Sequence, residues 1–121
     1  MEKRYVVEMG MGVDQHGHKG DPTEAAMKAV RNAISKVCLC GISEILELGG
    51  PEEMIIDVLI GAPFPEKVNE ERVLGAIPFG RKCLKAIEGG LVVRGVEVES
   101  LGDESSDILI VNAAVTVSFD L

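Results

Sequence analysis

The sequence has no apolar run of the roughly 20 residues that cross a membrane, and its start, MEKRYVVEMGMG, lacks the apolar core that a signal peptide requires. It also lacks a cluster of basic residues, since 12 Lys and Arg stand against 20 Asp and Glu for a net charge of −8. Nucleic-acid binding depends on concentrated positive potential, so a nucleic-acid partner is not expected. We expect a cytoplasmic protein with no membrane partner.

Cysteine is scarce, and its spacing does not match the common cysteine-based sites. Of the three cysteines, Cys38 and Cys40 are separated by one residue, whereas the redox motif and the zinc knuckle place two between them. We expect reduced cysteines, with Cys38 and Cys40 buried as small apolar side chains at a helix end. No tightly bound metal is predicted.

The composition is typical of a folded globular protein. Of the 121 residues, 46% are hydrophobic and 26% are charged, and no stretch is of low complexity. This length suits one hydrophobic core, and no linker is long enough to divide the chain. We predict a single α/β domain over residues 1–121.

Alternating residues in RYVVEMGMGV, residues 4–13, predict a first strand with one buried apolar face. A helix is expected to begin near Pro22, because Asp21 is a suitable N-cap and Glu24 completes a pattern like a capping box. Gly41 is a natural stop for this helix. The side chains expected on the buried face of the strand are Tyr5, Val7, Met9, Met11 and Val13.

The rest of the chain predicts further strands and a second, shorter helix. EMIIDVLIGAP is typical of a central strand covered on both faces, and Asn69 is a suitable cap for a helix in EERVLGAI. KCLKAI, LVVRGVEVES and ILIVNAAVTVSFDL are typical of strands, the last two forming a hairpin. We summarise the order as β-α-β-α-β-β, which predicts a two-layer α/β (α+β) sandwich with a mixed sheet and helices on one face.

Both histidines of the chain lie in one glycine-rich stretch, MGMGVDQHGHKGDPTE. Gly10 and Gly12 remove side chains from one face of the strand, which lets a ligand or a neighbouring backbone approach closely. If the extended conformation continues, Asp14, His16 and His18 follow on that face, and Asp14 orients His16 as a general base. The same three side chains also suit a divalent metal, and the remaining alternative is a solvated turn.

The segment GMGVDQHG, residues 10–17, matches the pattern GxGxDxHG and resembles a family of conserved hypothetical proteins named from a Listeria reading frame. The resemblance extends through APFPEKV and IPFG, and the family has no established activity. His18 lies outside the pattern, so the resemblance favours an Asp14–His16 pair over a three-ligand metal site. The residues to which it assigns a role are Gly10, Gly12, Asp14, His16 and Gly17.

The element order is also similar to the chorismate-mutase-like class, whose members are typically homotrimers with sites at subunit clefts. The sheet face away from the helices would carry Ile108, Ile110 and Ala114 beside Asn112 and Thr116, which is more apolar than a solvated face usually is. We therefore expect a homo-oligomer, with a trimer favoured.

These features predict a small-molecule site near Asp14 and His16, at or beside a subunit boundary. Three function classes remain open: an enzyme that uses general acid–base chemistry, a metabolite- or metal-binding module without turnover, and a structural oligomer. In FGRK, Arg81 and Lys82 are candidates for an anion clamp, with a solvated basic turn as the alternative. The expected ligand contacts are Gly10, Gly12, Gly17, Arg81 and Lys82.

Overall fold

The computed structural model describes residues 1–47, 50–103 and 105–121. Within these residues it is a mixed α+β fold with five strands in one open sheet and three α-helices. None of the helices in the described residues is long and apolar enough to span a membrane. The strands are β1 (Glu2–Asp14), β2 (Ile55–Ala62), β3 (Arg81–Glu88), β4 (Leu91–Arg94) and β5 (Asp107–Asp120). The helices are α1 (Thr23–Ile34), α2 (Cys40–Glu44) and α3 (Glu70–Leu74).

The sheet is mixed, as predicted, and its strand order is β1-β5-β2-β3, with β4 also paired to β5. β2 and β3 are parallel, whereas β5 is antiparallel to β1, β2 and β4. It follows that β1, β2 and β3 run in the same direction. Their carboxyl ends, at Asp14, Ala62 and Glu88, lie at one edge of the sheet, which we call the upper edge.

Helix α1 packs on β1 and β5 through small residues. Ala25, Ala29 and Ala33 form a buried stripe along the helix, and Gly10 and Gly12 of β1 lie beneath it. A Cβ on Gly12 would lie 2.5 Å from the Ala29 nitrogen, and a Cβ on Gly10 would lie 2.5 Å from the Ala33 nitrogen. The helix backbone therefore occupies the space that the two glycines leave.

This contact overturns the predicted faces of β1. Met9 is 70% exposed, whereas Glu8 and Asp14, on the opposite face, are 5% and 1% exposed. The helix approaches the face whose side chains are small, so the large apolar side chains remain on the open face of the sheet. Of the predicted buried set, Val7, Met9 and Met11 are exposed on that face and Val13 is half-buried. Tyr5, at the irregularity of β1, is also exposed, but its ring contacts the buried Phe119.

Strand β2 is interior to the sheet, as predicted, because it pairs with both β5 and β3. Only one of its faces is covered, since Ile56, Val58 and Ile60 are buried while Leu59 is exposed. The expectation of cover on both faces was therefore wrong. Helix α3 begins after Asn69, as predicted, and the Asn69 side chain accepts a hydrogen bond from a backbone N–H of the first turn.

Helix α2, which precedes β2, was not predicted. The three strands that follow α3 overlap the three segments predicted as strands, one more than the summary order β-α-β-α-β-β counts. Helix α1 ends at Ile34 and not at Gly41: Ser35 is its C-cap, the Ser35 hydroxyl donates to the Asn32 carbonyl, and the chain then leaves the helix. Cys38 and Cys40 consequently lie beyond α1 and are exposed, contrary to the expectation that they are buried.

Candidate functional site

The chain leaves β1 at Asp14 and makes a left-handed turn before α1. Gly17, His18, Lys19 and Gly20 have φ angles of 72°, 38°, 53° and 79°. Glycine adopts such angles readily, but each of the other two residues costs on the order of 1 kcal/mol or more. The turn is closed by a 2.8 Å hydrogen bond from the Gly20 N–H to the Gly17 carbonyl. Backbone strain of this kind concentrates at functional sites.

The His16 ring pairs with Asp103, which lies in the connection before β5. His16 Nδ1 is 2.5 Å from Asp103 Oδ1, and Asp103 Oδ2 accepts the Val98 N–H at 2.8 Å. These donors, with the His16 ring the larger cause, hold the pKa of Asp103 below its ordinary value of 3.8. The carboxyl is therefore ionised at neutral pH and only accepts, so His16 Nδ1 carries the proton. The basic nitrogen of the neutral ring is then Nε2.

Asp14 organises the other half of the site. Its side chain is 1% exposed, Oδ1 accepts the backbone N–H of His16 at 2.9 Å, and Oδ2 pairs with Nδ1 of His18. The two imidazole rings are 6.2 Å apart between centroids and stand edge to face. We call Asp14, His16, His18 and Asp103 the His–Asp cluster. It presents two half-exposed imidazoles, each anchored at Nδ1 by a buried carboxylate.

The prediction that Asp14 pairs with the ring of His16 is wrong. Asp14 contacts the backbone of His16, and the ring that it holds belongs to His18. The prediction assumed an extended chain beyond Asp14, but the strand ends there and the turn changes the direction of the side chains that follow. In the part of the chain that the structure describes, no group of three or more His, Cys, Asp and Glu is arranged to hold a metal ion.

Two lysine side chains bring positive charge to this part of the upper edge. Lys28 Nζ lies 3.1 Å from the Val13 carbonyl, and Lys67 Nζ lies 3.2 Å from the Lys19 carbonyl. Lys67 comes from the segment APFPEKV after β2 and also lies 5.4 Å from the centre of the Phe64 ring. Phe64 has a left-handed backbone, with φ of 53°. The segment after β2 therefore packs against the turn that carries the histidines.

The three glycines predicted to contact a ligand have structural roles here. Gly10 and Gly12 are covered by α1, so the neighbouring backbone, and not a ligand, occupies the space beside them. Gly17 has a positive φ, and its Cα faces the connection before β5, where a Cβ would meet the Ser105 hydroxyl and lie 3.1 Å from the Asp107 carbonyl oxygen. This close approach brings that connection, with its carboxylate, next to the His16 turn.

Arg81 and Lys82 were predicted to face the site from a loop, and the structure contradicts this placement. Both lie on β3, at the end of the sheet opposite Asp14. The Lys82 ammonium donates to the carbonyls of Leu74 and Ile77, at 3.2 and 2.8 Å, and so stabilises the end of α3. The FGRK segment begins the strand, because its backbone pairs with the start of β2.

Sequence reasoning missed Asp103 altogether. The signal that points to it is topological: the polar segment LGDESSD precedes β5, and β5 is antiparallel to β1. The start of β5 therefore lies at the same edge of the sheet as the end of β1. Acidic residues in that segment are the natural partners for histidines that follow β1.

Comparison with known proteins agrees with this architecture. A family described as "Conserved hypothetical protein (Lin0512_fam)" matches residues 4–117. An FtsZ-like protein of unknown function from Nostoc punctiforme PCC 73102, with a crystal structure at 1.22 Å resolution, has 48% sequence identity to this chain. The match covers 99% of this chain and 98% of that one, with a TM-score of 0.90. No curated protein matches. Since the family match spans most of the sequence, this chain belongs to the Lin0512 family of conserved hypothetical proteins.

Proposed function

We propose that this protein is a cytosolic homo-oligomer that binds a small polar metabolite at the upper edge and transforms it by general acid–base chemistry. The observation that carries the proposal is the 2.5 Å contact between the half-exposed His16 ring and the buried Asp103 carboxylate. A carboxylate in this position fixes the tautomer and orientation of the ring and stabilises the imidazolium that forms when Nε2 accepts a proton. His16 is the catalytic residue in this proposal.

Asp14 acts as a positioning residue in the same proposal. It is buried and accepts the backbone N–H of His16, so it fixes where the ring leaves the end of β1. It also anchors the neighbouring imidazole of His18. A buried carboxylate with partners on both oxygens keeps its rotamer, which is the condition for a catalytic group held in one geometry.

Two ammonium groups beside the cluster can attract a negative group on a substrate, because the cluster's own carboxylates are already paired with the histidine rings. Lys28 and Lys67 place their ammonium groups against carbonyls of the 13–19 segment, although the whole chain has a net charge of −8. Carboxylate and phosphate groups are the anions that such cations attract in small metabolites. We therefore propose a small carboxylate or phosphate ester as the substrate class.

An oligomer is part of the proposal because the open face of the sheet is apolar. Met9 and Met11 of β1 are exposed on it, Leu59 of β2 is exposed across the intervening β5, and Leu91 of β4 is 61% exposed close to the upper edge. Contiguous apolar surface of this kind is typical of a contact between subunits, and a trimer is favoured. Such a contact would place the His–Asp cluster at or beside a subunit boundary.

The assembly is tested by light scattering at micromolar concentration. A mass near three times the 12.9 kDa of one chain supports the trimer, and Met9→Asp is expected to lower the mass toward that of a single chain. Asn32→Asp, on the helix side, is the matched control for the added charge. A wild-type mass of one chain would contradict an interface on the open face.

The binding site is tested by thermal shift with a panel of hydroxy acids, keto acids and sugar phosphates. We expect a member of the panel to stabilise the wild type and to lose most of this effect with His16→Gln and with Asp103→Asn. Arg31→Gln, at an exposed position of α1, is a matched control that should retain the effect. A panel that stabilises wild type and His16→Gln equally would contradict the site. Conversion of a stabilising compound, followed by NMR, separates an enzyme from a binding module without turnover.

A further inference from the structure

A cavity of about 460 Å³ lies between the sheet and the helix layer, at the end of α1 away from the His–Asp cluster. It is bounded by the last turn of α1, the 37–43 segment, residues that precede β2, and the 77–79 segment after α3. Its volume lies in the range of cavities that hold small-molecule ligands. The apolar part of the lining includes Ile34, Leu39, Ile42, Met54, Phe79 and Val115.

The one ionisable side chain among the described residues that line this cavity is Glu8. Glu8 lies on the helix-facing side of β1 opposite Val115, and it is only 5% exposed. Within the described ranges, no hydrogen bond or ion pair to its carboxyl is found, and burial raises its pKa above 4.5. A largely buried carboxyl among apolar side chains, with no protein partner in the described residues, is costly to the fold unless water or a ligand in the cavity meets it. Leucine or methionine at this position would fill the space at no such cost.

We infer that this cavity, which we call the Glu8 cavity, binds a small amine with an aliphatic or aromatic body. The apolar walls receive the body, and the Glu8 carboxylate receives the ammonium group. An anion would be repelled by the carboxylate, and a neutral ligand would leave its negative charge uncompensated. A metal ion would find no further ionisable ligand among the described lining residues. An amine satisfies both the walls and the carboxylate.

This inference does not depend on the proposed function. Glu8 and Asp14 are six residues apart on the same strand, which places them about 20 Å from each other. Between them the face of β1 is covered by α1 at Gly10 and Gly12. A ligand in the Glu8 cavity therefore does not reach His16, and each site is tested without the other.

The experiment uses three probes of matched shape: 2-phenylethylamine, 2-phenylethanol and phenylacetate. Binding is followed by methyl chemical shifts of cavity residues such as Ile34 and Ile56, and by calorimetry. We expect the amine to bind at least about tenfold more tightly than the alcohol, because both donate a hydrogen bond to the carboxylate but only the ammonium also neutralises its charge. We expect the anion not to bind.

Two substitutions at Glu8 test the role of the carboxylate. Glu8→Gln keeps the shape of the side chain and should bring the affinity of the amine to that of the alcohol. Asp57→Asn removes an acidic group from β2, outside the cavity lining, and is the matched control that should leave amine binding unchanged. Glu8→Leu should raise the midpoint of unfolding while it removes amine binding. Equal binding of amine and alcohol to the wild type, unchanged amine binding by Glu8→Gln, or no binding of any probe would each overturn the inference.

Discussion

Substitution of Gly12 by alanine tests the contact on which both sites depend. The new Cβ would lie 2.5 Å from the Ala29 nitrogen and nearer still to the Ala25 carbonyl oxygen, and both are backbone atoms of α1 that no rotamer change can move. The helix would have to withdraw by about 1 Å, and a gap of that size forfeits a quarter to a half of each dispersion contact it opens. We expect a loss at the upper end of the overpacking range, about 3 kcal/mol.

The assay is equilibrium unfolding in urea, where a loss of about 3 kcal/mol at a slope of about 2 kcal/mol/M lowers the midpoint by about 1.5 M. Gly61→Ala is the matched control, because it adds the same methyl group to a strand of the same sheet. Its Cβ would lie 3.8 Å from the nearest atom, Gly89 Cα, which is ordinary contact. Equal midpoints for Gly12→Ala and the wild type would refute close packing of α1 on β1.

Three further predictions concern single side chains. The Cys83 thiol donates a hydrogen bond to Asp57, and this bond together with burial raises the pKa of Cys83 to about 11. At pH 8 its thiolate fraction, and with it the alkylation rate, should therefore be about 100-fold below that of an ordinary thiol. Asp57→Asn should restore the ordinary rate. Because the folded-state pKa of Asp103 is lowered, its contribution to stability is present above pH 4 and is lost as pH falls through the folded value. The difference in unfolding midpoint between wild type and Asp103→Asn should therefore shrink from pH 6 to pH 3, and a constant difference would contradict the ion pair. Asn69→Ala removes the acceptor for the Arg72 N–H and should cost about 1 kcal/mol in the same assay.

The order of elements was largely readable from the sequence, because periodicity, caps and glycine boundaries are local signals. Strand β2, the start of α1 and the cap of α3 at Asn69 all depend on residues within one turn or one strand. The end of α1 was not readable in this way. The bond from the Ser35 hydroxyl to the Asn32 carbonyl at this end also occurs inside longer helices, so the sequence alone does not distinguish Ile34 from Gly41 as the boundary.

Hydrophobicity alone predicts the wrong buried face of β1, because the size of the side chains decides which face α1 can approach. The apolar side chains of Met9 and Met11 favour burial, but α1 carries alanine at 25, 29 and 33, and a stripe of small residues packs closely only against another small surface. Gly10 and Gly12 supply that surface. The matching of small residues between a helix stripe and a strand face is a signal present in the sequence, and it would have placed the helix correctly.

The position of the two histidines just beyond β1 was predicted, but the partners of their side chains were not. The sequence places both histidines just beyond β1, whereas the partner of the His16 ring comes from residue 103 in a distant connection. Only the antiparallel pairing of β5 with β1 brings that connection to the upper edge. A pairing between residues 87 positions apart follows from topology, which the local pattern does not contain.

One face of β1 connects the features that the sequence left separate. Glu8, Gly10, Gly12 and Asp14 follow at a period of two, so they share the face on which α1 lies. The glycines seat the helix in the middle of this face, and each acid is buried at one end of the contact, Glu8 against the cavity and Asp14 against the histidine turn. Because α1 is held on backbone atoms, it cannot shift to relieve strain at one end without disturbing the other. The GMGVD stretch, residues 10–14, is thus a packing device: its glycines seat α1, and Asp14 at its end accepts the backbone N–H of His16.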